Sequence, residues 1–507
     1  MVSTARDVDS LRSWGADWAG LRVAVLGLGT TGFSVADTLV ELGASVTVIA
    51  AAAEPERADL LDVIGARLII AERDADATDA LAAVDPELVI VSPGIFPRHP
   101  MVRWCIEAGV AVWGDVELAW RLRDARQPAA EWIAVTGTNG KTTTVQLATA
   151  MIRADHRRVI ACGNVGVPVL DAIRDPSGFD VLVLELSSFQ LHYLDSMSAH
   201  TSACLNIADD HLDWHGSAEA YASAKAKIYE RTRVACVYNR ADDATRTMVE
   251  NAVVVDGCRA IGFGLGVPGP SDVGLVDDIL CDRAFIETRH SSALELTTLS
   301  RLEKAGLGAP HMITNTLAAA ALARSIGVSA EAIGRAVDDF RLDRHRTETV
   351  GEVRGVRYVD DSKATNPHAA DAALSSFESV VWIVGGLLKG VELGAVIERH
   401  AGRLRAAVVI GRERQTVVAA FVRHAPEVPV FEVATSDTGM VMPTAVARAY
   451  EAAQPGDVVL LAPAAASMDQ FDDYSDRGAR FTIAVHDLMG GDESDHEHPA
   501  PPAAPGS

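Results

Sequence analysis

The sequence predicts an α/β protein of three domains with mostly parallel sheets, and two observations support this prediction. The chain has 507 residues, and domains of about 150 residues are typical, so about three domains are expected. Short apolar stretches typical of buried strands alternate with helical stretches along most of the chain, which is the pattern of parallel sheets covered by helices. Ligands of such sheets bind at the carboxyl ends of the strands.

Composition and charge exclude several classes of partner. The formal net charge is -24, from 45 basic and 69 acidic side chains, and such a surface repels nucleic acid and anionic lipid. No apolar stretch approaches the roughly 20 residues of a membrane span, and the acidic N-terminus does not resemble a signal peptide. The six cysteines form no CxxC pair, which favours reduced thiols over a zinc site or a disulfide framework: Cys105, Cys162, Cys204, Cys236, Cys258 and Cys281.

The first domain begins with a strand, LRVAVLGL, followed by a glycine turn, a helix over Thr30–Leu42 and a second strand, ASVTVI. The turn, Gly27–Gly32, is the dinucleotide-type fingerprint in its expected βαβ setting. NAD binding usually needs an acid after the second strand, but Ala50–Ala53 stand there. We therefore interpret the turn as a diphosphate-binding loop, with an NAD-dependent dehydrogenase and a purely structural tight turn as alternatives.

The second domain carries a phosphate-loop motif, TGTNGKTT, over Thr136–Thr143. It follows a strand and opens a helix, so backbone N–H groups and the helix dipole favour a bound phosphate. Lys141 would pair with the β- and γ-phosphates and the Thr142 hydroxyl would hold Mg²⁺. The strict pattern has glycine where Val135 stands, so this is a variant of the motif. A turn that merely caps a helix is the structural alternative.

Carboxylates at strand ends suggest a divalent cation site in the same domain. Glu185 interrupts the apolar strand VLVLELSSF, and a buried carboxylate is costly unless it is paired or metal-bound. Asp209–Asp213, which includes His211, follows another strand and offers ligands that suit such a cation. A structural hydrogen bond and a solvated acidic turn are the alternatives. Lys225 lies on a charged predicted helix, and its spacing alone indicates no role.

The third domain contains the segment DDSKATNP, Asp360–Pro367, at the end of a predicted strand. Lys363 can bind phosphate or carboxylate, Asp361 can accept a hydrogen bond from a ribose, and Arg346 offers a guanidinium suited to phosphate. A plain polar loop is the alternative.

These patterns predict a Rossmann-like N-terminal domain over residues 1–124 and a central P-loop ATPase-like domain, with a mostly parallel sheet, over residues 125–342. A C-terminal Rossmann-like domain follows over residues 343–488. The last segment, 489–507, is acidic and then rich in proline and alanine. It has few apolar residues to bury, which predicts disorder.

Together the motifs resemble the Mur ligase family over roughly residues 20–485. TGTNGKTT, ELSSFQL, NIADDHLDWH, YASAKAKIYE, LDRHR and DDSKATNP occur in the family's order. DSKATN and the later PAAASMDQFDDYSDRG resemble the D-glutamate-adding member. The resemblance implies a cytoplasmic, monomeric ligase that uses ATP to join D-glutamate to UDP-N-acetylmuramoyl-L-alanine. An acyl phosphate and a tetrahedral intermediate would form, ADP and phosphate would be released, and the product would serve peptidoglycan synthesis.

The resemblance also implies roles for individual residues. The catalytic residues would be Lys141, His211, Lys225 and Lys363. ATP would contact Gly137, Thr138, Asn139, Gly140, Lys141, Thr142, Thr143, Asn315, Arg346 and Asp361. The other substrates would contact Thr31, Ser92, Gly94, Asn164, Ser187, Thr365, Lys389, Ser467 and Tyr474. Two Mg²⁺ ions, replaceable by Mn²⁺, would be held by Thr142, Glu185, His211 and Lys225, the last of which is carbamylated in the family.

One departure from the family concerns the uridine end of the substrate. The family's Asp-Thr-Arg set after the second strand is replaced here by alanines from Ala50 onward. Two further alternatives are a ligase for another acceptor, similar to folylpolyglutamate synthases, and a non-catalytic nucleotide-binding protein. DSKATN and the N-terminal fingerprint domain argue against the first. The presence of every expected phosphate and metal residue argues against the second.

Overall fold

The computed structural model describes residues 7–435 and 437–496, and these form two compact units. The first unit comprises residues 7–207 and 211–340, and the second comprises the described residues from 341 onward together with 208–210. The first unit holds two sheets and the second holds one. The predicted α/β class with mostly parallel sheets is confirmed.

The N-terminal sheet has five parallel strands in the order β3-β2-β1-β4-β5. The strand order reverses beside β1, and ligands of such sheets bind at that point. The strands are β1 (Arg22–Leu26), β2 (Ser45–Ala50), β3 (Arg67–Ile70), β4 (Leu88–Val91) and β5 (Ala111–Gly114). The helices are α1 (Thr30–Glu41), α2 (Pro55–Ile64), α3 (Asp74–Val84), α4 (Pro100–Ala108) and α5 (Asp115–Arg121).

The central sheet has nine strands in the order β14-β13-β12-β11-β10-β9-β6-β8-β7. The strands are β6 (Glu131–Thr136), β7 (Val159–Gly163), β8 (Val181–Glu185), β9 (Thr201–Cys204), β10 (Ala235–Asn239), β11 (Arg259–Phe263), β12 (Asp272–Val276), β13 (Ile279–Asp282) and β14 (Leu294–Thr298). Strands β6 to β12 pair in parallel, whereas β13 and β14 add an antiparallel edge.

The helices of the central domain complete the first unit. They are α6 (Lys141–Ala154), α7 (Val169–Arg174), α8 (Ser188–His192), α9 (Leu212–His215), α10 (Ala218–Ala226), α11 (Asp243–Asn251), α12 (Leu299–Lys304), α13 (Pro310–Ser325) and α14 (Ala330–Asp339). Both sheets share one hydrophobic cluster, in which Trp120 packs edge-on against Trp132 at 5.1 Å. The predicted boundary after residue 124 therefore falls inside a compact unit, and the three-domain division stays a prediction.

The second unit is built on six strands in the order β15-β16-β20-β17-β18-β19. An antiparallel hairpin, β15 (Glu348–Val353) and β16 (Val356–Asp360), precedes four parallel strands: β17 (Val380–Gly385), β18 (Leu404–Ile410), β19 (Val430–Glu432) and β20 (Val458–Leu461). Apolar clusters cover both faces of the sheet. The helices are α15 (Pro367–Leu374), α16 (Gly394–His400), α17 (Arg414–His424), α18 (Val441–Ala452) and α19 (Tyr474–His496).

The last helix differs from the sequence-based expectation. Helix α19 continues to His496, into the segment 489–507 for which disorder is predicted, while residues 497–507 lie outside the described part. Once a helix has nucleated, each added residue gains a hydrogen bond, so extension needs little apolar burial. Within the described residues, every helix is too short or too polar to cross a bilayer.

Candidate active site

The phosphate loop joins β6 to α6, and glycines determine its shape. Gly137 has φ +153° and Gly140, which caps α6, has φ +81°. Both values lie in the region that side chains disfavour. A Cβ on Gly140 would lie 2.3 Å from Oδ1 of Asn315, so the predicted nucleotide ligand Asn315 packs directly on the loop. A glycine loop that opens a helix is a favourable place for a phosphate group.

Lys141 lies across this loop. Its Nζ atom donates to the carbonyl oxygens of Gly137, at 2.8 Å, and Thr138, at 2.9 Å. The ammonium group is thus held at the phosphate loop, where a bound phosphate would meet it. Thr142 and Thr143, in the first turn of α6, are buried.

Two residues that sequence reasoning did not assign to the site support the loop. Asn206, two residues after β9, accepts from the N–H of Asn139 at 2.8 Å and donates to its carbonyl oxygen at 3.1 Å. The hydroxyl groups of Tyr221 and Thr138 lie 2.9 Å apart. The available signal was position: Asn206 follows a strand end, and Tyr221 stands one helical turn before Lys225 on α10.

Lys225 reaches the base of the phosphate loop, although its spacing in the sequence did not indicate this. Its side chain is buried, and Nζ donates to the carbonyl oxygen of Gly137 at 2.9 Å and to Oγ1 of Thr136 at 3.2 Å. Nζ also lies 4.9 Å from the ring centroid of Tyr221. A buried ammonium group is costly without such partners, so Lys225 is part of the loop's architecture.

Glu185 ends β8 and is only 3 % exposed. Its Oε1 accepts from Nδ2 of Asn164 at 2.9 Å, whereas Oε2 has no hydrogen-bond partner among the described residues. An unsatisfied buried carboxylate oxygen costs free energy. Together with the Thr142 hydroxyl, Glu185 offers the hard oxygen ligands that Mg²⁺ prefers, so these residues fit a magnesium ion.

Two further predicted residues lie at α8: Ser187 precedes it in the chain after β8, and His211 comes from the chain after β9. Ser187 caps α8 in a capping box with Gln190. His211, with φ +52°, precedes α9, and its ring packs edge-on against that of Phe189 at 4.7 Å. Ser187 lies two residues after Glu185 in the chain. Because His211 packs against the helix that Ser187 caps, both predicted residues lie at α8.

The N-terminal glycine turn brings three predicted substrate residues together. Gly27 has φ +93°, and a Cβ added there would lie 2.8 Å from Oγ of Ser92. Thr31 is in the first turn of α1 and Gly94 is in the loop after β4, so all three lie at the carboxyl ends of β1 and β4. Arg57, which the sequence did not single out, donates from Nη1 to the carbonyl oxygen of Leu28 at 3.2 Å and adds a cation to this turn.

In the second unit, a strained turn around Arg346 is hydrogen-bonded to the segment that carries Asp361 and Lys363. His345 and Thr347 have φ +66° and +49° and flank Arg346. The N–H of Thr347 donates to Oδ1 of Asp361 at 3.2 Å, and the N–H of Lys363 donates to the carbonyl oxygen of His345 at 3.3 Å. This pairing places Arg346 and Lys363 on two hydrogen-bonded segments.

The charges of this turn are only partly compensated. Desolvation by the surrounding protein raises the pKa of Asp361 to about 7, against the lowering effect of the Arg346 charge. Nε of Arg346 is buried and has no hydrogen-bond partner in the part of the chain that is described. Unsatisfied polar groups and shifted pKa values are common where a ligand binds.

Of four further residues predicted to contact a substrate, three lie in loops after strands of the second unit, and Tyr474 begins α19. Tyr474 accepts a hydrogen bond at its hydroxyl from Nζ of Lys363 at 3.1 Å, and Thr365 lies two residues after Lys363. Lys389 and Ser467 lie on neighbouring loops that Leu387 and Ala466 join through reciprocal backbone hydrogen bonds of 2.9 and 3.1 Å. The structure therefore links Tyr474 to the segment that carries Thr365, and the loop of Lys389 to the loop of Ser467.

Three family models match successive parts of the chain. A model described as Mur ligase MurD-like, N-terminal domain, matches residues 21–114. The Mur ligase middle domain matches residues 135–323, and the Mur ligase, glutamate ligase domain, matches residues 345–465. The three matches follow the same order as the three sheets.

Curated relatives are similar over nearly their whole length. A protein of Leifsonia xyli subsp. xyli is 58 % identical over 100 % of both chains. A Streptomyces coelicolor protein is 49 % identical over 93 % of this chain and 99 % of its own. A Mycolicibacterium smegmatis protein is 41 % identical over 93 % of this chain and 97 % of its own. Each is named UDP-N-acetylmuramoylalanine–D-glutamate ligase.

Solved structures of lower identity share the fold. UDP-N-acetylmuramate-alanine ligase MurC from Thermotoga maritima has a TM-score of 0.55 at 18 % identity and covers 93 % of this chain and 100 % of its own. A pseudomurein peptide ligase type C from Methanothermus fervidus has a TM-score of 0.55 at 15 % identity, over 92 % and 100 % of the two chains. With matching domain models and close relatives along its length, the chain belongs to the Mur ligase family.

Proposed function

We propose that this protein is an ATP-dependent ligase that joins D-glutamate to UDP-N-acetylmuramoyl-L-alanine and releases ADP and phosphate. The reaction serves the synthesis of peptidoglycan precursors. The name shared by relatives that are 41 to 58 % identical over almost the whole chain supports this assignment. The acceptor amino acid is also supported by DSKATN, at Asp361–Asn366, which resembles the D-glutamate-adding member.

The observation that carries the ATP chemistry is the convergence of Lys141 and Lys225 on the phosphate loop, in the unit that also contains Glu185. In the first step ATP phosphorylates the substrate carboxylate, so two anions must approach each other. The positive charge of Lys141, fixed in advance at the loop, would lower that barrier together with the metal. The D-glutamate amine then attacks the acyl phosphate, and phosphate leaves from a tetrahedral intermediate.

Mg²⁺ is the proposed metal cofactor. Thr142 and Glu185 would hold one ion, and the unpartnered Oε2 of Glu185 supports this role. His211 and a carbamylated Lys225 would hold a second ion, and Mn²⁺ could replace Mg²⁺. When bound, the metal neutralises phosphate charge. Lys141 binds the phosphates, and Asn164 holds Glu185 in place through its amide.

The remaining predicted residues are assigned by substrate. Thr31, Ser92 and Gly94, at the N-terminal glycine turn, would bind the UDP part, while Asn164 and Ser187 would bind the part that bears the reacting carboxylate. Asn315, Arg346 and Asp361 would bind ATP together with the phosphate loop, Gly137–Thr143. Lys363 would orient the reacting groups, and D-glutamate would contact Thr365, Lys389, Ser467 and Tyr474. We also propose a cytoplasmic monomer.

Product analysis tests the assignment. The protein is incubated with ATP, Mg²⁺, UDP-N-acetylmuramoyl-L-alanine and one amino acid at a time, and nucleotide products are separated and identified by mass spectrometry. We expect a product with one added glutamate from D-glutamate and none from L-glutamate or L-alanine. A product from L-glutamate but not from D-glutamate would overturn the assignment of the acceptor.

A further inference from the structure

Two acidic residues of α5, Asp115 and Glu117, reach across from the N-terminal domain to the segment that follows β8. Nε2 of Gln190, on α8, donates to Oδ2 of Asp115 at 3.2 Å. Oε2 of Glu117 accepts from the N–H groups of Asp195 and Ser196, at 2.9 and 2.8 Å. One acid therefore holds α8 itself, and the other holds the chain just beyond it.

The two acids differ in how well they are satisfied. Glu117 also accepts from Oγ of Ser196 and from Nε of Arg121 at Oε1. Although burial raises its pKa, these hydrogen bonds bring it below the ordinary value. Asp115 is only 4 % exposed, and its Oδ1 has no hydrogen-bond partner among the described residues. Burial raises the pKa of Asp115 to about 6.

The two acids therefore differ in their effect on stability: Glu117 stabilises the fold, whereas Asp115 destabilises it. Glu117 has the full set of partners that makes a buried carboxylate favourable. Asp115 keeps one oxygen desolvated and unpaired, which costs stability. Poorly satisfied polar groups concentrate at functional sites, because function rather than stability retains them.

Asp115 controls the orientation of one side-chain amide. An ionised carboxylate only accepts hydrogen bonds, so the NH₂ end of Gln190 must face Asp115. The Oε1 end then faces Ser187 and accepts from its backbone N–H at 3.1 Å and from its Oγ at 3.2 Å. If the amide turned over, its NH₂ group would meet the N–H of Ser187, donor against donor. Asp115 thus selects the orientation that fixes Ser187.

We propose that Asp115 is a positioning residue that, through Gln190, holds Ser187 in place to bind UDP-N-acetylmuramoyl-L-alanine. This inference rests on the proposed function, because it assigns Ser187 to that substrate. Ser187 lies two residues after Glu185, so the hydrogen-bond chain from Asp115 ends beside the candidate metal ligand. Asp115 itself would contact neither ATP nor D-glutamate.

The test compares Asp115→Ala, Asp115→Asn and Glu117→Gln in the full-length protein, with kinetics for each substrate and thermal unfolding. We expect Asp115→Ala to raise KM for UDP-N-acetylmuramoyl-L-alanine about tenfold and to leave KM for ATP within about twofold. Asp115→Asn keeps a carbonyl that can accept from Gln190. Its KM for UDP-N-acetylmuramoyl-L-alanine should therefore lie between the values for the wild-type protein and for Asp115→Ala. Glu117→Gln should lower the melting temperature without raising that KM.

A double-mutant cycle of Asp115→Ala and Ser187→Ala tests whether Asp115 acts through Ser187. If Asp115 acts through Ser187, the double variant should bind the nucleotide substrate no more weakly than Ser187→Ala alone. Additive losses, or an Asp115→Ala protein that loses only thermal stability, would overturn the proposal. If Asp115→Ala does not fold, an unchanged KM in Asp115→Asn would overturn it. An inactive wild-type protein would instead contradict the proposed function.

Discussion

Lys141 and Lys225 donate to the same acceptor, the carbonyl oxygen of Gly137, at 2.8 and 2.9 Å. As ammonium groups the two lysines repel each other, and this repulsion is relieved by a bound anion or by the carbamylation proposed for Lys225. The chain as a whole is strongly acidic, with a net charge of -24. The phosphate loop is therefore a local positive centre that suits ATP.

Replacing Lys141 with alanine tests this centre. The Lys141→Ala variant should lose at least about 100-fold in the rate of phosphate release, because the fixed charge at the phosphates is gone. Lys304→Ala, on an exposed helix position, is the control and should keep the wild-type rate. A Lys141→Ala protein with full activity would contradict the role of the phosphate loop.

The Glu185→Gln substitution removes the negative charge of the side chain and keeps its size and shape. The glutamine can still accept from Asn164 but cannot offer the unpartnered carboxylate oxygen to a cation. We expect turnover to fall about 100-fold or more and the Mg²⁺ concentration for half-maximal rate to rise. The melting temperature should not fall, because the change removes a poorly satisfied buried charge. Unchanged magnesium dependence would argue against Glu185 as a metal ligand.

Gly140→Ala tests the geometry of the loop. The new Cβ would lie 2.3 Å from Oδ1 of Asn315, at a residue with φ +81°. We expect a loss of about 1–3 kcal/mol in the free energy of unfolding, from strain, and a higher KM for ATP. The matched control is Gly402→Ala, where nothing lies within 4 Å of the added carbon. Equal effects of the two substitutions would show that the loop tolerates the side chain.

Asp361 predicts a pH dependence of stability. Its pKa in the folded protein, about 7, lies above the ordinary value of 3.8, so the folded state binds the proton more tightly than the unfolded chain. This contribution is complete below about pH 4 and is lost as the pH rises through about 7. Asp361→Asn cannot ionise, so its melting temperature relative to wild type should rise between about pH 5 and pH 8.

The control for that series is Asp59→Asn, at an exposed position on α2. Its melting temperature should differ from wild type by the same small amount at both pH values. A constant difference for Asp361→Asn as well would show that Asp361 ionises normally in the folded protein.

Local patterns were enough to predict the fold class, the position of TGTNGKTT between a strand and a helix, and the position of Glu185 on an apolar strand. Each of these depends on residues within one strand, turn and helix, so the alternation of apolar and polar residues reveals them. The antiparallel edge that β13 and β14 add to the central sheet depends on the complete sheet and was not predicted.

Long-range contacts explain what the sequence did not reveal. Lys225 is 88 residues from Gly137 in the chain, and only the tertiary packing of α10 brings them together. Asn206 and Arg57 likewise act on loops that are distant in sequence. The sequence predicts a domain boundary after residue 124, but the core that the two sheets share depends on tertiary packing.

In the proposed reaction, ATP cleavage is coupled to the addition of D-glutamate. The most direct measurement is the rate of phosphate release with UDP-N-acetylmuramoyl-L-alanine and ATP, with D-glutamate, L-glutamate or no amino acid added. We expect release of one phosphate per molecule of product with D-glutamate and background rates in the other two reactions. Equal release in all three reactions, or release only with L-glutamate, would contradict it.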